Sequence, residues 1–378
     1  MRNAAASDIH AAPKVLAFVL PQFHRIAEND LWWGEGFTEW TNVRRAKPLF
    51  KGHLQPRVPL LENYYDLCDA DVQQQQAVLA RSHGIHGFCY YHYWFNGRRL
   101  LERPVNLMRE RGKPDMPFCL AWANEPWTRT WDGGDQQVLM QQSYGSVEDW
   151  TAHFSELLRS FEDPRYIRLN GKPVFLIYRS AGIPECESMF ACWRALAQKA
   201  GLPGLHLVEM LTAFTRDVRV GLFDAAAEFE PMHTIYHGLS QWDRRKEKLV
   251  RYRGKLAKWL LGSVSHAPNS FDYGRLWRRI VDRPLPPDRY PGAFVDWDNS
   301  PRRGLARSII FRGFKRGLFS EGFGRQYQKA ADAGAAFLFV NAWNEWAEGC
   351  YLEPDEARGH FFLESIRSVV RRGESAPP

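Results

Sequence analysis

Residues 336–349, AFLFVNAWNEWAEG, join an apolar run to a turn that contains two glutamates. The run 336–343 is hydrophobic almost throughout and lacks the alternation of a strand with one face in water. Such continuity is typical of a strand buried on both faces, as in a parallel sheet covered by helices. This stretch therefore predicts an α/β fold whose final strand ends in polar residues.

Seven further runs share this strand-like composition: 15–20, 87–95, 117–123, 173–178, 205–211, 224–229 and 292–297. Amphipathic segments with helical spacing separate most of them: 69–84, 146–161, 187–201, 321–334 and, after the last run, 359–372. Eight strands with intervening helices is the number that closes a (β/α)8 TIM-type barrel. The alternative is an open doubly wound sheet, but no Gly-rich phosphate-binding loop follows the first run. We therefore predict the barrel.

The length of 378 residues fits two or three average domains, yet one barrel also accommodates it. We predict a single barrel domain at 13–372, with a disordered extension at 1–12 and a disordered tail at 373–378. The connection 230–291 is predicted to be an insertion between strands six and seven, since no Pro/Gly/Ser linker isolates it. Two helices are expected within it: 240–262 and 270–282.

Composition indicates an ordinary globular protein. Hydrophobic residues make up 45% and charged residues 25%, which excludes disorder over most of the chain. Six scattered cysteines without metal-binding spacing predict free thiols, and neither a metal site nor a cofactor motif stands out. No apolar segment approaches the roughly 20 residues of a membrane span, and no secretion signal is convincing. We expect a cytoplasmic protein.

The net charge of +7 arises largely from two basic segments, 244–283 and 301–316. Within the first, 244–262 mixes Arg and Lys with apolar residues at helical spacing. This pattern fits either a solvated helix face or a surface that meets anionic lipid or a lipid-linked glycan. The second interpretation would place the protein at the periphery of the inner membrane. Nucleic acid is disfavoured, because the charge is confined and no nucleic-acid motif accompanies it.

Aromatic residues are abundant: 15 Trp, 14 Tyr and 24 Phe form 14% of the chain. Many cluster with His, Asn and acids, as in WWGEGFTEW (32–40), YYHYWFN (90–96), WANEPWTRTWDG (122–133) and WNEWAEG (343–349). An aromatic face matches the CH-rich face of a sugar ring, and the polar neighbours match its hydroxyl groups. For the tryptophans at strand ends we favour a sugar-binding cleft over core packing.

The residues just beyond each predicted strand supply candidate substrate ligands, because barrel enzymes build their sites at the C-terminal ends of strands. The predicted ligands are Gln22, His24, Trp40, Tyr91, His92, Trp94, Trp122, Asn124, Glu125, Trp131, Tyr178, Glu209, Glu230, Asp296, Trp297, Asp298, Asn341, Trp343 and Asn344. Two alternatives remain open. His24 and His92 equally fit oriented core histidines, and Asp296 and Asp298 fit an Asx-turn.

Glu345 and Glu348 are the predicted catalytic pair. They lie three residues apart beyond a buried strand and among tryptophans, so burial can raise the pKa of one carboxyl while the other stays ionised. Glycosidic cleavage needs that asymmetry, with one group protonating the leaving oxygen and the other acting as base or nucleophile. The alternative is an exposed helical turn that merely carries acids.

Several motifs together resemble the WbsX-type family of bacterial polysaccharide-gene proteins over about residues 13–370: VLPQFH, WWGEGFTEW, GFCYYHYWFNG, LAWANEPWTRTWDG, GKPVFLIYR, DWDNSPR and NAWNEWAEG. That family, often labelled glycosyltransferase, is similar to glycoside hydrolase family 99, so the resemblance also implies a (β/α)8 barrel. It matches the hydrolases' E-W-x-E element to 345–348. By this resemblance Glu348 is the general acid/base, and Glu345 assists the substrate's own 2-hydroxyl as nucleophile, with retention. The remaining rim departs from the hydrolases, so their mannoside preference is not carried over.

The residues and the resemblance together leave three candidate functions. The first is glycoside hydrolase-type chemistry, retaining or inverting, on an O-antigen-like bacterial surface polysaccharide. The second is a glycosyltransferase of lipopolysaccharide or polysaccharide biosynthesis, although neither Rossmann-like halves nor a metal-binding DxD is evident. The third is a non-catalytic glycan-binding barrel, which the Glu pair disfavours. We rank the first highest, in a biosynthetic setting.

Overall fold

The computed structural model describes residues 12–128, 138–261 and 269–375. Eight strands form a barrel in which every neighbouring pair is parallel. In chain order, the first to eighth strands are Lys14–Val19, Gly87–Phe95, Phe118–Trp122, Lys172–Ile177, His206–Leu211, Ala225–Glu228, Arg289–Tyr290 continued by Gly292–Phe294, and Phe337–Asn341. Each lies within or overlaps one predicted run, and the (β/α)8 prediction is confirmed.

The barrel closes at its interrupted seventh strand. Arg289–Tyr290 pairs with the sixth strand, whereas Gly292–Phe294 pairs with the eighth. Between these two pairings, the chain passes very close to the sixth strand. A Cβ atom at position 292 would lie 1.9 Å from the carbonyl oxygen of Glu228. Closure at this point therefore requires glycine, because no other residue allows so close a backbone approach.

The described residues contain eleven α-helices: α1 (Ala27–Trp33), α2 (Glu39–Arg45), α3 (Ala70–Ser82), α4 (Arg103–Arg111), α5 (Val147–Phe161), α6 (Cys186–Lys199), α7 (Gln241–Leu261), α8 (Tyr273–Val281), α9 (Ser300–Arg307), α10 (Arg316–Asp332) and α11 (Phe361–Ser375). Seven of them, α3–α6, α8, α10 and α11, are the helices that alternate with strands in a barrel. The others lie in connections at the C-terminal ends of strands. No helix lies between the fifth and sixth strands, where residues 212–224 are fully described.

Local sequence explains where these helices begin. Ser146 caps α5 in a reciprocal arrangement with Asp149, and the Asp69 side chain accepts from the backbone of Asp71 at the start of α3. Helix α10 begins five residues before its predicted start at 321, and α11 extends into the predicted C-terminal tail as far as Ser375. Of the predicted N-terminal extension, only Ala12 is described.

Short elements complete the fold at both ends of the barrel. The paired short strands are Trp127–Thr128 with Val138–Met140, Asn269–Asp272 with Ile309–Arg312, and Asn344–Glu345 with Cys350–Tyr351. Arg98–Leu100 and Arg168–Leu169 extend the second and fourth strands as hairpins. Single turns of 3-10 helix occur at Leu60–Glu62, Ser180–Gly182 and Trp346–Glu348, and a π-helical turn at Thr234–Gly238. The connection 230–291 contains α7 and α8, close to the two helices expected there.

Side chains on the barrel strands alternate between the barrel interior and the helix layer. In the interior, the Phe18 ring packs against Tyr91, Phe229 and Phe339 with centroid distances of 5.8, 5.3 and 5.5 Å. On the opposite face of the second strand, His92 stacks on His153 of α5. This alternation decides which polar strand residues reach the mouth of the barrel.

The close approach at Gly292 predicts a large effect of Gly292→Ala. Because the obstructing atom belongs to the backbone, the seventh strand must shift, and we expect the free energy of unfolding to fall by about 1–3 kcal/mol or more. Gly317→Ala is the matched control: it lies in α10, nothing stands within 4 Å of its added Cβ, and a change of about 0–1 kcal/mol in the stabilising direction is expected. Urea unfolding measures both. Equal effects of the two substitutions would contradict this account of closure.

Candidate active site

Glu345 and Glu348 lie on a tight turn beyond the eighth strand. Glu345 ends one strand of the short hairpin, and Glu348 ends the 3-10 turn, after which Gly349 adopts a left-handed conformation (φ 64°). The turn presses against the connection that follows the seventh strand, where the Asp298 amide donates to the Glu348 carbonyl at 2.7 Å. The Glu345 side chain is buried, while that of Glu348 is 25% exposed.

A single arginine contacts both glutamates. Arg302 Nη1 lies 2.9 Å from a Glu348 carboxylate oxygen, and Nη2 lies 3.4 Å from Glu345. The same Nη2 lies 2.6 Å from Glu39, whose carboxylate also accepts from the Ala347 amide at 3.1 Å. One buried guanidinium thus gathers three carboxylates. We call Glu39, Arg302, Glu345 and Glu348 the carboxylate cluster.

Two helix starts bring Glu39 and Arg302 to this position. Thr38 caps α2 and makes Glu39 its first residue, while Asn299 precedes α9 and leaves Arg302 in the first turn. The Asn299 side-chain oxygen accepts from the Ile309 amide at 2.7 Å, which holds the two ends of this connection together. Residues far apart in sequence therefore meet at one point on the rim.

The charges of the carboxylate cluster do not balance if every group is ionised, since three carboxylates surround one guanidinium. Burial raises the pKa of Glu345 well above its ordinary value, repulsion from Glu348 adds to this shift, and Arg302 opposes it. Burial also raises the pKa of Glu348, against the opposing charges of Arg302 and Arg303. The pair therefore retains a proton to higher pH than an isolated glutamate does.

A narrow cleft lies beside the carboxylate cluster. Its lining combines aromatic and polar side chains: Gln22, Trp33, Phe37, Glu39, Asn42, Arg45, Trp127, Thr128 and Leu139. Glu39 belongs to both this wall and the cluster, so the two are contiguous. Trp127 also contacts the rings of Trp32 and Tyr93 edge-on, with centroids 5.4 Å apart in each case. Aromatic walls with a few polar groups suit a sugar ring.

Tyrosines surround the glutamate pair on the barrel side. Burial raises the pKa of Tyr91 and Tyr178 well above the usual value, and the nearby charges of Glu345 and Glu348 add to both shifts. Tyr178 also neighbours Glu125, whose carboxylate lies 3.3 Å from Arg179. Burial raises the pKa of Glu125, and Arg179 opposes that shift. Of the predicted ligands, the structure thus brings Gln22, Tyr91, Glu125 and Tyr178 to the mouth of the barrel with the pair.

Three predicted ligands, His92, Trp94 and Trp122, point away from the mouth. His92 Nε2 lies 2.9 Å from His153 Nε2, and the rings of Trp94 and Trp122 lie 4.6 and 4.7 Å from the His153 ring. Burial lowers the pKa of His92 to about 3, so it is neutral. These side chains form core between the strands and α5. The prediction that they contact substrate is corrected, because they occupy the outward positions of their strands.

Several predicted ligands instead brace the rim through backbone hydrogen bonds. Asn344 clamps Leu20 by accepting from its amide at 2.7 Å and donating to its carbonyl at 3.0 Å. Asn124 holds both backbone groups of Arg179 at 2.8 Å, and Asn341 donates to the Glu230 carbonyl at 3.0 Å. The indole of Trp40 donates to the Tyr65 carbonyl at 2.8 Å and packs on the Trp346 ring.

Glu209 and Glu230 are buried and bonded to protein donors. Glu209 accepts from the Ser180 hydroxyl and from the Arg219 amide. Glu230 lies 2.8 Å from Arg283, which outweighs burial and lowers the pKa of this carboxyl to about 2. Both carboxylates tie connections to the barrel, and neither belongs to the carboxylate cluster.

Asp296 and Asp298 also accept hydrogen bonds from several protein donors. One Asp296 oxygen accepts from Arg57 at 2.9 Å and from Arg358 at 2.7 Å. One Asp298 oxygen accepts from His53 and Gln55, and the other accepts from the Ser300 amide at 3.1 Å in the Asx-turn that the sequence left open. Despite burial, bonding to His53 lowers the pKa of Asp298 to about 2. The structure gives both aspartates a bracing position instead of a free oxygen for substrate.

The remaining predicted ligands are of two kinds. His24, Trp297 and Trp343 are buried, and His24 Nδ1 lies 2.9 Å from the Pro21 carbonyl, as expected of an oriented core histidine. Burial lowers the pKa of His24. Trp131 lies outside the described residues.

Among the site residues that the strand-end pattern does not predict, five belong to sequence motifs already described: Glu39, Arg302, Trp33, Phe37 and Trp127. All lie within motifs that carried the family resemblance, namely WWGEGFTEW, DWDNSPR and LAWANEPWTRTWDG. They lie beyond the residues directly after a strand, in connections that fold back over the barrel. The repeated pairing of aromatic residues with acids in those motifs was the available signal.

Comparison with known proteins agrees with this fold. A glycoside hydrolase-like protein superposes with a TM-score of 0.58 at 14% identity, covering 98% of this chain and 97% of its own. The family 99 endo-alpha-mannosidase of Bacteroides thetaiotaomicron superposes with a TM-score of 0.55 at 15% identity, covering 96% of this chain and 98% of its own. At such identity these likenesses concern the fold alone.

Sequence comparison identifies relatives and a family for this chain. The chain is 38% identical over 363 residues to the uncharacterized protein WxcX of two strains of Xanthomonas campestris pv. campestris, an alignment that covers 95% of this chain. The chain spans about half the length of these curated relatives. The family model described as Glycosyltransferase WbsX matches residues 15–366. The chain therefore belongs to the WbsX glycosyltransferase family.

Proposed function

We propose that this protein is a carbohydrate-active enzyme that cleaves or transfers glycosidic bonds of a bacterial surface polysaccharide through Glu345 and Glu348. The observation that carries the proposal is the single buried guanidinium of Arg302, which contacts both carboxylates beside an aromatic cleft. The polysaccharide as substrate class rests on membership of the WbsX family. The family 99 likeness supports glycosidase-type chemistry through the E-W-x-E element at 345–348.

The two carboxyls differ in a way that suits two roles. Glu348 is partly exposed, so it is the group that meets the glycosidic oxygen and protonates the leaving group. Glu345 is buried, and its raised pKa makes its ionised form a stronger base than an ordinary carboxylate. A stronger base is what proton removal from a weakly acidic sugar 2-hydroxyl requires. That hydroxyl then attacks the anomeric carbon while the bond to the leaving group, protonated by Glu348, breaks. Water, deprotonated by Glu348, opens the resulting anhydro sugar at the anomeric carbon, Glu345 returns its proton to the 2-oxygen, and the original configuration is restored.

Arg302 contributes by limiting how far both pKa values rise. Without a cation, burial and mutual repulsion would keep both carboxyls protonated and leave no base. With it, the pair shares one proton, and the reacting form is the one in which Glu348 carries that proton and Glu345 is ionised. Glu39 shares the guanidinium and anchors it through the Ala347 amide to the turn that carries the pair.

Glycosyl transfer is the second candidate function, and the description of the family as glycosyltransferase favours it. The same carboxylates serve it, with a sugar hydroxyl replacing water as the final acceptor. A non-catalytic glycan-binding barrel is less well supported. Three carboxylates gathered around one cation carry a desolvation penalty, and apolar residues would stabilise that position better.

Substitution of either glutamate of the pair by glutamine tests the proposed catalytic roles. We expect Glu345→Gln and Glu348→Gln each to lower kcat/KM by about 100- to 10,000-fold, because each removes a proton-transfer group while preserving size. The measurement is release of 4-methylumbelliferone from a panel of α- and β-glycosides, together with chain cleavage of polysaccharide from the encoding bacterium. Glu364→Gln, on the exposed side of α11, is the matched control. Wild-type rates in both site variants would refute the catalytic roles.

Arg302 gives a prediction for pH dependence. Its positive charge favours the ionised forms of Glu345 and Glu348, so removing the charge raises both pKa values further. In Arg302→Gln both limbs of the pH profile of kcat/KM should move to higher pH, by about 1–3 units. Arg302→Lys, which keeps the charge, should move them less. A profile that stays in place in Arg302→Gln, with the far-ultraviolet circular dichroism of wild type, would show that Arg302 does not set these pKa values.

Hydrolysis and transfer are distinguished by the products. The protein is incubated with labelled nucleotide sugars and lipid-linked acceptors, and separately with polysaccharide in water. The proposed hydrolase-type chemistry predicts new reducing ends with retained anomeric configuration. Proton NMR measures that configuration as the products form. Product that depends on the nucleotide-sugar donor, without any hydrolysis, would instead establish the transferase.

A further inference from the structure

Helix α7 presents large apolar side chains to solvent. Trp242, Leu249 and Tyr252 are 70%, 51% and 66% exposed. At 100° per residue, the first two lie within 20° of each other on the helix, and Tyr252 lies on the same side. Large apolar residues grouped on one exposed face indicate a contact surface, whereas single exposed ones do not. We call this side, with the basic residues described next, the outer face of α7.

The outer face is also cationic. Arg245, Lys246 and Arg253 are exposed on the same side of the helix as the apolar residues, and the Arg245 guanidinium lies 5.7 Å from the centre of the Trp242 ring. Over its whole length α7 has eight basic residues and two acidic ones. Both acids, Asp243 and Glu247, are buried on the opposite face. No carboxylate of α7 therefore offsets the positive charge outside.

Ion pairs on the inner face hold α7 in this orientation. Asp243 lies 2.7 Å from Arg279, and Glu247 lies 2.6 Å from Arg275. Glu247 also lies 2.8 Å from Arg312, on the short strand after α9. With its acidic residues bonded inward to α8 and this strand, the helix presents the basic and apolar residues of its outer face to solvent.

The outer face lies at the same end of the barrel as the carboxylate cluster. Helix α7 follows the sixth strand, at the C-terminal ends of the strands. The strand Asn269–Asp272 that comes after it pairs with Ile309–Arg312, and the Ile309 amide bonds to Asn299 at the start of α9. A chain of contacts thus runs from α7 to the helix that carries Arg302.

We propose that the outer face of α7 binds the surface of an anionic lipid bilayer. Its Arg and Lys side chains contact lipid phosphates, while Trp242, Leu249 and Tyr252 enter the boundary between headgroups and acyl chains. Interfacial helices combine these two features, and a negative membrane surface complements a face without acids. Among the described residues no helix is long and apolar enough to cross the bilayer. The proposal does not depend on the chemistry of the carboxylate cluster.

Co-sedimentation of the whole protein with vesicles tests this proposal. Vesicles of phosphatidylcholine and phosphatidylglycerol in a two-to-one ratio should bind the protein, and pure phosphatidylcholine should bind it far less. Binding should weaken as salt is raised, because exposed charges are screened. Equal binding to both vesicles, or binding to neither, would overturn the proposal. So would binding to single-stranded nucleic acid in the absence of binding to anionic vesicles.

Charge reversal locates the surface. Lys246→Glu with Arg253→Glu should lower the partition coefficient on anionic vesicles by about 25-fold or more, at about fivefold for each basic residue lost. The matched control, Lys113→Glu with Lys199→Glu, changes the net charge equally at exposed sites elsewhere and should bind as wild type does. Trp242→Ala with Leu249→Ala should weaken binding while preserving its salt dependence. Equal losses in the control would refute the role of α7.

Membrane binding and catalysis are separated by a soluble substrate. Turnover of 4-methylumbelliferyl glycosides by the α7 variants should equal that of wild type, because α7 contributes no side chain to the carboxylate cluster. If these variants lose vesicle binding but keep turnover, the membrane surface stands whatever the natural glycan proves to be. If vesicle binding is unchanged in them, the surface is elsewhere and the inference fails.

Discussion

The guanidinium of Arg302 is the interaction on which the rest of the site depends. It joins Glu39, from the connection after the first strand, to Glu345 and Glu348, from the turn after the eighth. Burying one cation with three carboxylates is unfavourable unless each partner is held in place, since a misplaced partner leaves a charge without compensation. Helices α2 and α9 and the final turn must therefore assume a single arrangement. The barrel, which brings the first and eighth strands together, makes that arrangement possible.

Further buried polar groups support the turn that carries Glu345 and Glu348. Glu353 accepts from the Trp346 indole at 2.6 Å and from the Tyr65 hydroxyl at 2.9 Å, and burial raises its pKa to about 8. Asp298 bonds His53 and Gln55 on the other side. The contrast with Glu348 is physical: every oxygen of these supporting acids accepts from protein donors, whereas the Glu348 side chain remains partly exposed. The supporting carboxylates thus differ from Glu348, the proposed acid, in their donors and in their access to solvent.

The pattern of polar residues after strands predicts part of this site and misses part for two geometric reasons. Tyr91 and His92 are adjacent in the second strand and equally polar, but Tyr91 faces the glutamates and His92 faces α5. On a strand buried on both faces, hydrophobicity is continuous, so composition does not reveal which of two neighbours points inward. Glu39 and Arg302 reach the site through connections that fold back over the barrel. Their positions depend on helix starts that no strand pattern describes.

The sequence by itself determined the barrel, since eight continuous apolar runs with helices between them have few ways to bury both faces of each strand. It also predicted that a candidate catalytic pair lies beyond the eighth strand, because Glu345 and Glu348 follow a buried run among tryptophans. Only the tertiary structure decided which acids are bonded throughout and which remain accessible. That decision depends on donors contributed from distant parts of the chain, such as Arg57 for Asp296 and Arg302 for the glutamate pair. Charge and burial at a carboxylate are properties of those long-range neighbours, and local sequence does not contain them.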